Sequence, residues 1–136
     1  MTIIDRLSKL DGPDRAQDVL IECEFKPWGG YGHRPGKVKG SVVSYFNRSY
    51  DHKKQHSTYS APFYTSDSMD RAKRVAREWW PNCTFQIEDY PEKVRIGIAL
   101  NRYEGDNSCA EATAPTAGLA LCIAILRAKE ASSHGE

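Results

Sequence analysis

The residues best equipped for chemistry in this 136-residue chain are cations interleaved with aromatic rings. Between Lys26 and Ser60 run Trp28, Tyr31, His33, Arg34, Lys37, Lys39, Tyr45, Phe46, Arg48, Tyr50, Lys53, Lys54 and Tyr59, with Tyr64 just beyond. Guanidinium and ammonium groups pair with phosphates, and aromatic faces stack on bases, so this mixture is what a nucleotide or a single-stranded nucleic acid needs. Arg71, Arg74 and Arg102 extend the set. The expected ligand-binding residues are therefore Trp28, Tyr31, His33, Arg34, Lys37, Tyr45, Arg48, Tyr64, Arg71, Arg74 and Arg102. The same composition also describes a solvated hairpin whose rings pack on the core.

Other chemistries have less behind them. His52 and His56 stand four apart in "DHKKQHS", but the neighbouring lysines repel a cation and no cysteine is near, so no metal site is expected. Cys109 in "GDNSCAEAT" is the one loop cysteine with an exposed setting, and no histidine partner is assignable to it. Glu88, Asp89, Glu92, Glu104, Asp106 and Glu111 read equally as acid/base candidates or as a charged rim. "GGYGHRPG" matches neither the Walker nor the dinucleotide loop. The expectation is a non-enzymatic protein with no catalytic residues, metal or cofactor.

The net charge of +1 conceals segregation: seven basic residues face Asp51 alone between Lys26 and Ser60, a net +6, which leaves −5 for the rest. Four cysteines without a C-x-x-C pair read as reduced thiols. The N-terminus lacks an apolar h-region, and no window reaches the ~18 uncharged apolar residues of a membrane span. A cytoplasmic location without membrane attachment is expected.

These residues need a scaffold. "TIIDRLSKL" and "PDRAQDVLIECEF" have helical spacing, with Thr2 capping the first and Asp11 or Gly12 the second, Pro13 falling in its first turn. Residues 27–62 lack helical periodicity, and there only "GSVVSYF", at 40–46, resembles a strand. "TSDSMDRAKRVAREWWPN" predicts an amphipathic helix, capped by Ser66, Asp67 or Ser68 and ended by Pro81, with Arg71, Lys73, Arg74 and Arg77 on its polar side. "CTFQIEDY" and "KVRIGIALN" alternate as a hairpin about "PE". A loop, "RYEGDNSCAEAT", leads to a helix over 113–129, capped by Thr113 or Thr116.

That last helix is apolar almost all round, in a chain of mean hydropathy −0.62. An amphipathic helix needs an apolar arc of roughly 100°. "GLALCIAILRA" far exceeds it and must be covered by a sheet on one side and by helices or a second subunit elsewhere.

Three segments taken in order, "RLSKLDGPDRAQDVLIECEF", "YTSDSMDRAKRVAREWW" and "AEATAPTAGLALCIAILRA", resemble the start, middle and end of the small phage and prophage proteins of the phage ABA sandwich domain family. The chain departs from the family's pattern in the spacing between Tyr64 and Ala72 and in having Pro115 before Thr116, and 27–62 has no counterpart. The resemblance implies a viral origin and an antiparallel sheet between helical layers; it brings no catalytic residues. The expectation is an α/β (α+β) fold: one domain over 1–131 with a small antiparallel sheet sandwiched between helical layers, a basic insertion at 27–62, a disordered tail at 132–136, and a buried C-terminal helix that helps form a homo-oligomer. The expected function is that of an anti-defence sponge in an infected or lysogenic bacterium, sequestering a nucleotide-derived immune signal. The alternative is a module that docks on a host defence protein.

Overall fold

In a computed structural model of the protein, the backbone is described for residues 2–25, 34–35, 42–48 and 54–134, and side chains for 2–25 and 60–132. The fold is α+β, with the C-terminal helix packed on an antiparallel sheet. The chain divides into two compact units, one of residues 14–63 and one of 1–13 with 64–136.

In the first unit, α2 (Arg15–Phe25) lies on a three-stranded antiparallel sheet of β1 (Arg34–Pro35), β2 (Val42–Arg48) and β3 (Lys54–Ser60), in the order β1-β2-β3. Asp14 caps α2 in place of Asp11 or Gly12: its carboxylate accepts from the Gln17 amide at 3.2 Å, and its carbonyl accepts the first helical bond from Asp18. Pro13 thus precedes the cap. The expected strand at 40–46 is β2, which runs two residues further, and β3 was not legible at all. "KQHSTYS" has neither alternation nor an apolar face, and it becomes a strand by pairing along β2 from Val42↔Ser60 to Arg48↔Lys54.

The second unit holds α1 (Ile3–Ser8), α3 (Asp70–Trp79), β4 (Thr84–Asp89), β5 (Val94–Ala99), β6 (Cys109–Ala114) and α4 (Ala117–His134). Thr2 caps α1 within a capping box: its hydroxyl accepts from the Asp5 amide, and the Asp5 carboxylate accepts from the Thr2 amide, both at 3.2 Å. The hairpin expected about "PE" is β4–β5, in register from Thr84↔Ala99 to Asp89↔Val94. β6, read from sequence as loop, completes the sheet in the order β4-β5-β6. Its alanines have little strand preference of their own, but paired with β5 they bring Ala112 and Ala114 beneath α4.

Residues 118–126 of α4 are all buried within the single chain, leaving none of that stretch for a second subunit to cover. One side meets Val94, Ile96 and Ile98 of β5 and the alanines of β6; α1 and α3 pack elsewhere along it. Burying each of Leu119, Leu121, Ile123, Ile125 and Leu126 contributes about 1.5–3 kcal/mol. Thr116 caps this helix, its hydroxyl accepting from the Leu119 amide at 3.3 Å and donating to the Thr65 carbonyl at 2.6 Å. α4 continues to His134, into residues expected as a loose tail.

Among the described residues none of the expected caps Ser66, Asp67 and Ser68 bonds the first turn of α3 through its side chain. Ser66 offers its carbonyl to the Gly118 amide at 2.9 Å and its hydroxyl to the Ser68 amide, and Met69 occupies the cap position without a side-chain bond. Among the described residues the helices of this unit lie over one face of the sheet, that of Ile96 and Ile98; the other face is open.

Candidate functional site

Strand parity decides what the open face carries. Val94, Ile96 and Ile98 point to α4, so Arg95, Gly97 and Ala99 point out, beside Glu88, Gln86 and Thr84 of β4 and Thr113, Glu111 and Cys109 of β6. The central row is Gln86–Gly97–Glu111, in which the middle strand has no side chain. The result is a trough of about 470 Å³, floored by Gly97 and Ala99 and rimmed by Thr84, Gln86, Arg95, Cys109 and Glu111.

Arg95 forms the end wall. Its guanidinium pairs with Glu88 at 2.9 Å and with Glu111 on the opposite strand. Those two carboxylates, Glu111 foremost, hold Arg95 firmly charged. Tyr90 donates to the second oxygen of Glu88 at 2.8 Å, and this bond, more than Arg95, keeps the Glu88 carboxyl below its ordinary range. Gln86 makes no side-chain hydrogen bond among the described residues, so its amide offers both a donor and an acceptor.

Gly97 has no structural reason to be glycine. A Cβ there would meet the Ala110 carbonyl oxygen at 3.9 Å and Gln86 Cβ at 4.0 Å, ordinary contacts, and its φ is not positive. Glycine inside a strand costs about 0.5–1 kcal/mol relative to alanine and often marks close approach of a ligand.

The residues expected from sequence fall differently. Trp28, Tyr31, His33 and Lys37 lie outside the described residues; Arg34 falls in β1 and Tyr45 and Arg48 in β2, with side chains likewise outside the description. Tyr64 is a correction: it is fully buried, a core residue rather than a ring presented to ligand, and its carbonyl lies against Gly118 and Cys122. Arg71 and Arg74 lie on α3, the first half-buried and the second exposed. Lys73 and Arg77 of that helix sit 5.8 and 5.4 Å from the Phe85 ring centroid, and no carboxylate among the described residues pairs with Lys73, Arg74 or Arg77.

Arg102 bonds within its own loop. Its Nε and backbone amide donate to one oxygen of Asp106, at 3.1 and 2.8 Å, and a terminal nitrogen donates to the Ser108 hydroxyl at 2.8 Å. The Ser108 amide takes the other Asp106 oxygen at 3.0 Å. It lines a cleft of about 230 Å³ with Tyr103, Ser108 and Ser132; neither Arg71 nor Arg74 does. The Arg102 side chain, then the amides, hold the Asp106 carboxyl far below the usual carboxylate range. A depressed carboxyl stabilises the fold above the unfolded value, about pH 4, and loses that contribution as the pH falls toward the folded value. Asp106→Ala is therefore expected to lower Tm at neutral pH, and the gap from wild type to narrow progressively below about pH 4, in melts recorded across that range.

The thiols divide by exposure. Burial raises Cys23 to about 11 and pushes Cys83 up, so neither supplies a thiolate at neutral pH, whereas Cys109 is exposed at the trough rim. Among the described residues no helix is long and apolar enough to cross a membrane. Comparison of the chain with protein-family models, with curated protein sequences and with solved structures returned no match.

Sequence reasoning missed Gly97 and Gln86, and it left Glu111 among the carboxylates of a charged rim. One signal was available: a glycine in the middle of the apolar run "VRIGIAL", where a strand gains nothing from it.

Proposed function

We propose that the protein is a non-enzymatic cytoplasmic binding protein that sequesters a nucleotide-derived small molecule, seating the base in the trough on the open face of the β4-β5-β6 sheet. The supporting observation is a trough floored by a glycine that neither packing nor backbone conformation requires. A flat floor takes the face of a planar ring. The Gln86 amide and the Glu111 carboxylate stand on opposite sides, placed to read the donors and acceptors of its edge. Glu88 and Glu111 outnumber Arg95 there, so the base lies inward and the phosphates project into solvent. Binding in that orientation depends only weakly on salt, unlike a site that pairs cations with phosphates.

A panel of cyclic dinucleotides, cyclic trinucleotides and ADP-ribose isomers, screened by thermal shift and calorimetry, tests this reading; no stabilisation by any of them removes it. Gly97→Val sharpens the test. It is expected to raise stability by about 0.5–1 kcal/mol, because a β-branched residue suits the strand, while filling the floor and weakening binding about tenfold or more. Undiminished binding by this variant would place the ligand elsewhere.

A further inference from the structure

The two edges of the β4-β5-β6 sheet are treated differently. Tyr90 and Lys93 exchange both backbone bonds across the turn, so by alternation Glu88, Gln86 and Thr84 bond to β5, while the N–H and C=O groups of Asp89, Ile87 and Phe85 point to the outer edge. On the far side, the Leu100 amide bonds the Ser108 carbonyl, which turns Cys109, Glu111 and Thr113 outward along β6. That edge is blocked: Arg127 of α4 reaches down to the Glu111 carbonyl at 2.9 Å. No described residue does this for β4, where Ile87 is 43 % exposed. An uncovered edge with an exposed Ile is a template for another strand.

The side chains of β4 say which strand fits. On its helix-covered face the edge reads Phe85, Ile87, Asp89, with Lys73 and Arg77 of α3 gathered over Phe85 and no cation paired with Asp89 among the described residues. With the α3 cations the edge is basic at one end, apolar in the middle and acidic at the other, which is the pattern a two-fold axis makes self-complementary. We infer that the partner of this edge is a second copy of the chain, its β4 pairing antiparallel about Ile87 to make one six-stranded sheet. In that register Ile87 meets Ile87 of the second copy, and Phe85 with its two cations meets the second copy's Asp89. All three outward-pointing residues fall in hydrogen-bonded pairs, about six backbone bonds in total. The troughs of the two copies come to lie on one continuous face, three strand spacings or about 14 Å apart.

Sedimentation or light scattering of the full chain over a wide concentration range tests this independently of any ligand. The expected species has twice the 15.3 kDa chain mass. Ile87→Pro removes the central edge donor without touching the β4–β5 ladder, and Asp89→Lys turns the acidic end against Lys73 and Arg77; each is expected to weaken dimerisation about tenfold or more. Combining Asp89→Lys with Lys73→Glu and Arg77→Glu restores the complementarity and should restore the dimer. Circular dichroism shows which variants remain folded, and should Ile87→Pro fail, the charge-swapped set decides alone. A monomer at every concentration overturns the inference, as does a dimer indifferent to both substitutions or one that the swap does not rescue.

Discussion

Gly118→Ala should destabilise the protein by about 3 kcal/mol or more, measured as a shift of the urea midpoint with an unchanged slope. The first turn of α4 is pressed against the chain at 64–68. A Cβ on Gly118 would lie 2.6 Å from the Ser68 carbonyl oxygen and closer still to those of Tyr64 and Ser66. All three are backbone atoms, with no flexible end to swing aside. The Gly118 amide also donates to Ser66 at 2.9 Å, so α4 cannot retreat without losing that bond and the neighbouring one from Thr116 to Thr65. Overpacking here therefore spreads along the most deeply buried helix of the unit. Gly105, which has a positive φ but open space around it, is the informative contrast: Gly105→Ala carries backbone strain alone and should cost about 1 kcal/mol.

Arg15→Ala is expected to cost about 2–4 kcal/mol and to act within the other unit. One guanidinium nitrogen pairs with the buried Asp18 carboxylate at 2.8 Å and makes a longer bond to the Pro62 carbonyl, and the other donates to the Ala61 carbonyl at 2.6 Å. The same group lies 4.0 Å from the centre of the exposed Phe63 ring. Removing it withdraws one ion-pair partner from a carboxylate that is only 1 % exposed and loosens the end of the segment that follows β3. Arg15→Lys keeps the charge but not the planar fork that serves three acceptors, and should recover less than half of the loss. Faster amide exchange in α2 and at Ala61, with α4 unaffected, is the result that locates the effect; equal loosening of α4 would show that the two units do not respond separately.

Lines of the fold that depend on local periodicity were readable from the chain. Ile3 to Leu10, the stripe of Ala72, Val75 and Ala76, the alternation of Val94, Ile96 and Ile98, and the all-round apolar α4 each announce the surface they bury. Elements that exist only through a partner were not. β3 is polar and β6 is alanine-rich, and each is a strand because a neighbour offers it a ladder. The caps follow the same division. Thr2 caps within its own segment, whereas the Ser66 hydroxyl accepts from the Ser68 amide and its carbonyl from Gly118, more than fifty residues away in sequence.

The candidate site shows this division most clearly. Residue types alone determined an α+β chain with a buried C-terminal helix and a lopsided distribution of charge, because composition and hydrophobic period are properties of the string. Only the tertiary structure decided that Tyr64 belongs to the core, that Arg102 serves its own loop, and that Gln86, Gly97 and Glu111 form one row across three strands. Register and exposure arise from pairings between distant segments, and a one-residue slip would have turned Gly97 inward and filled the trough.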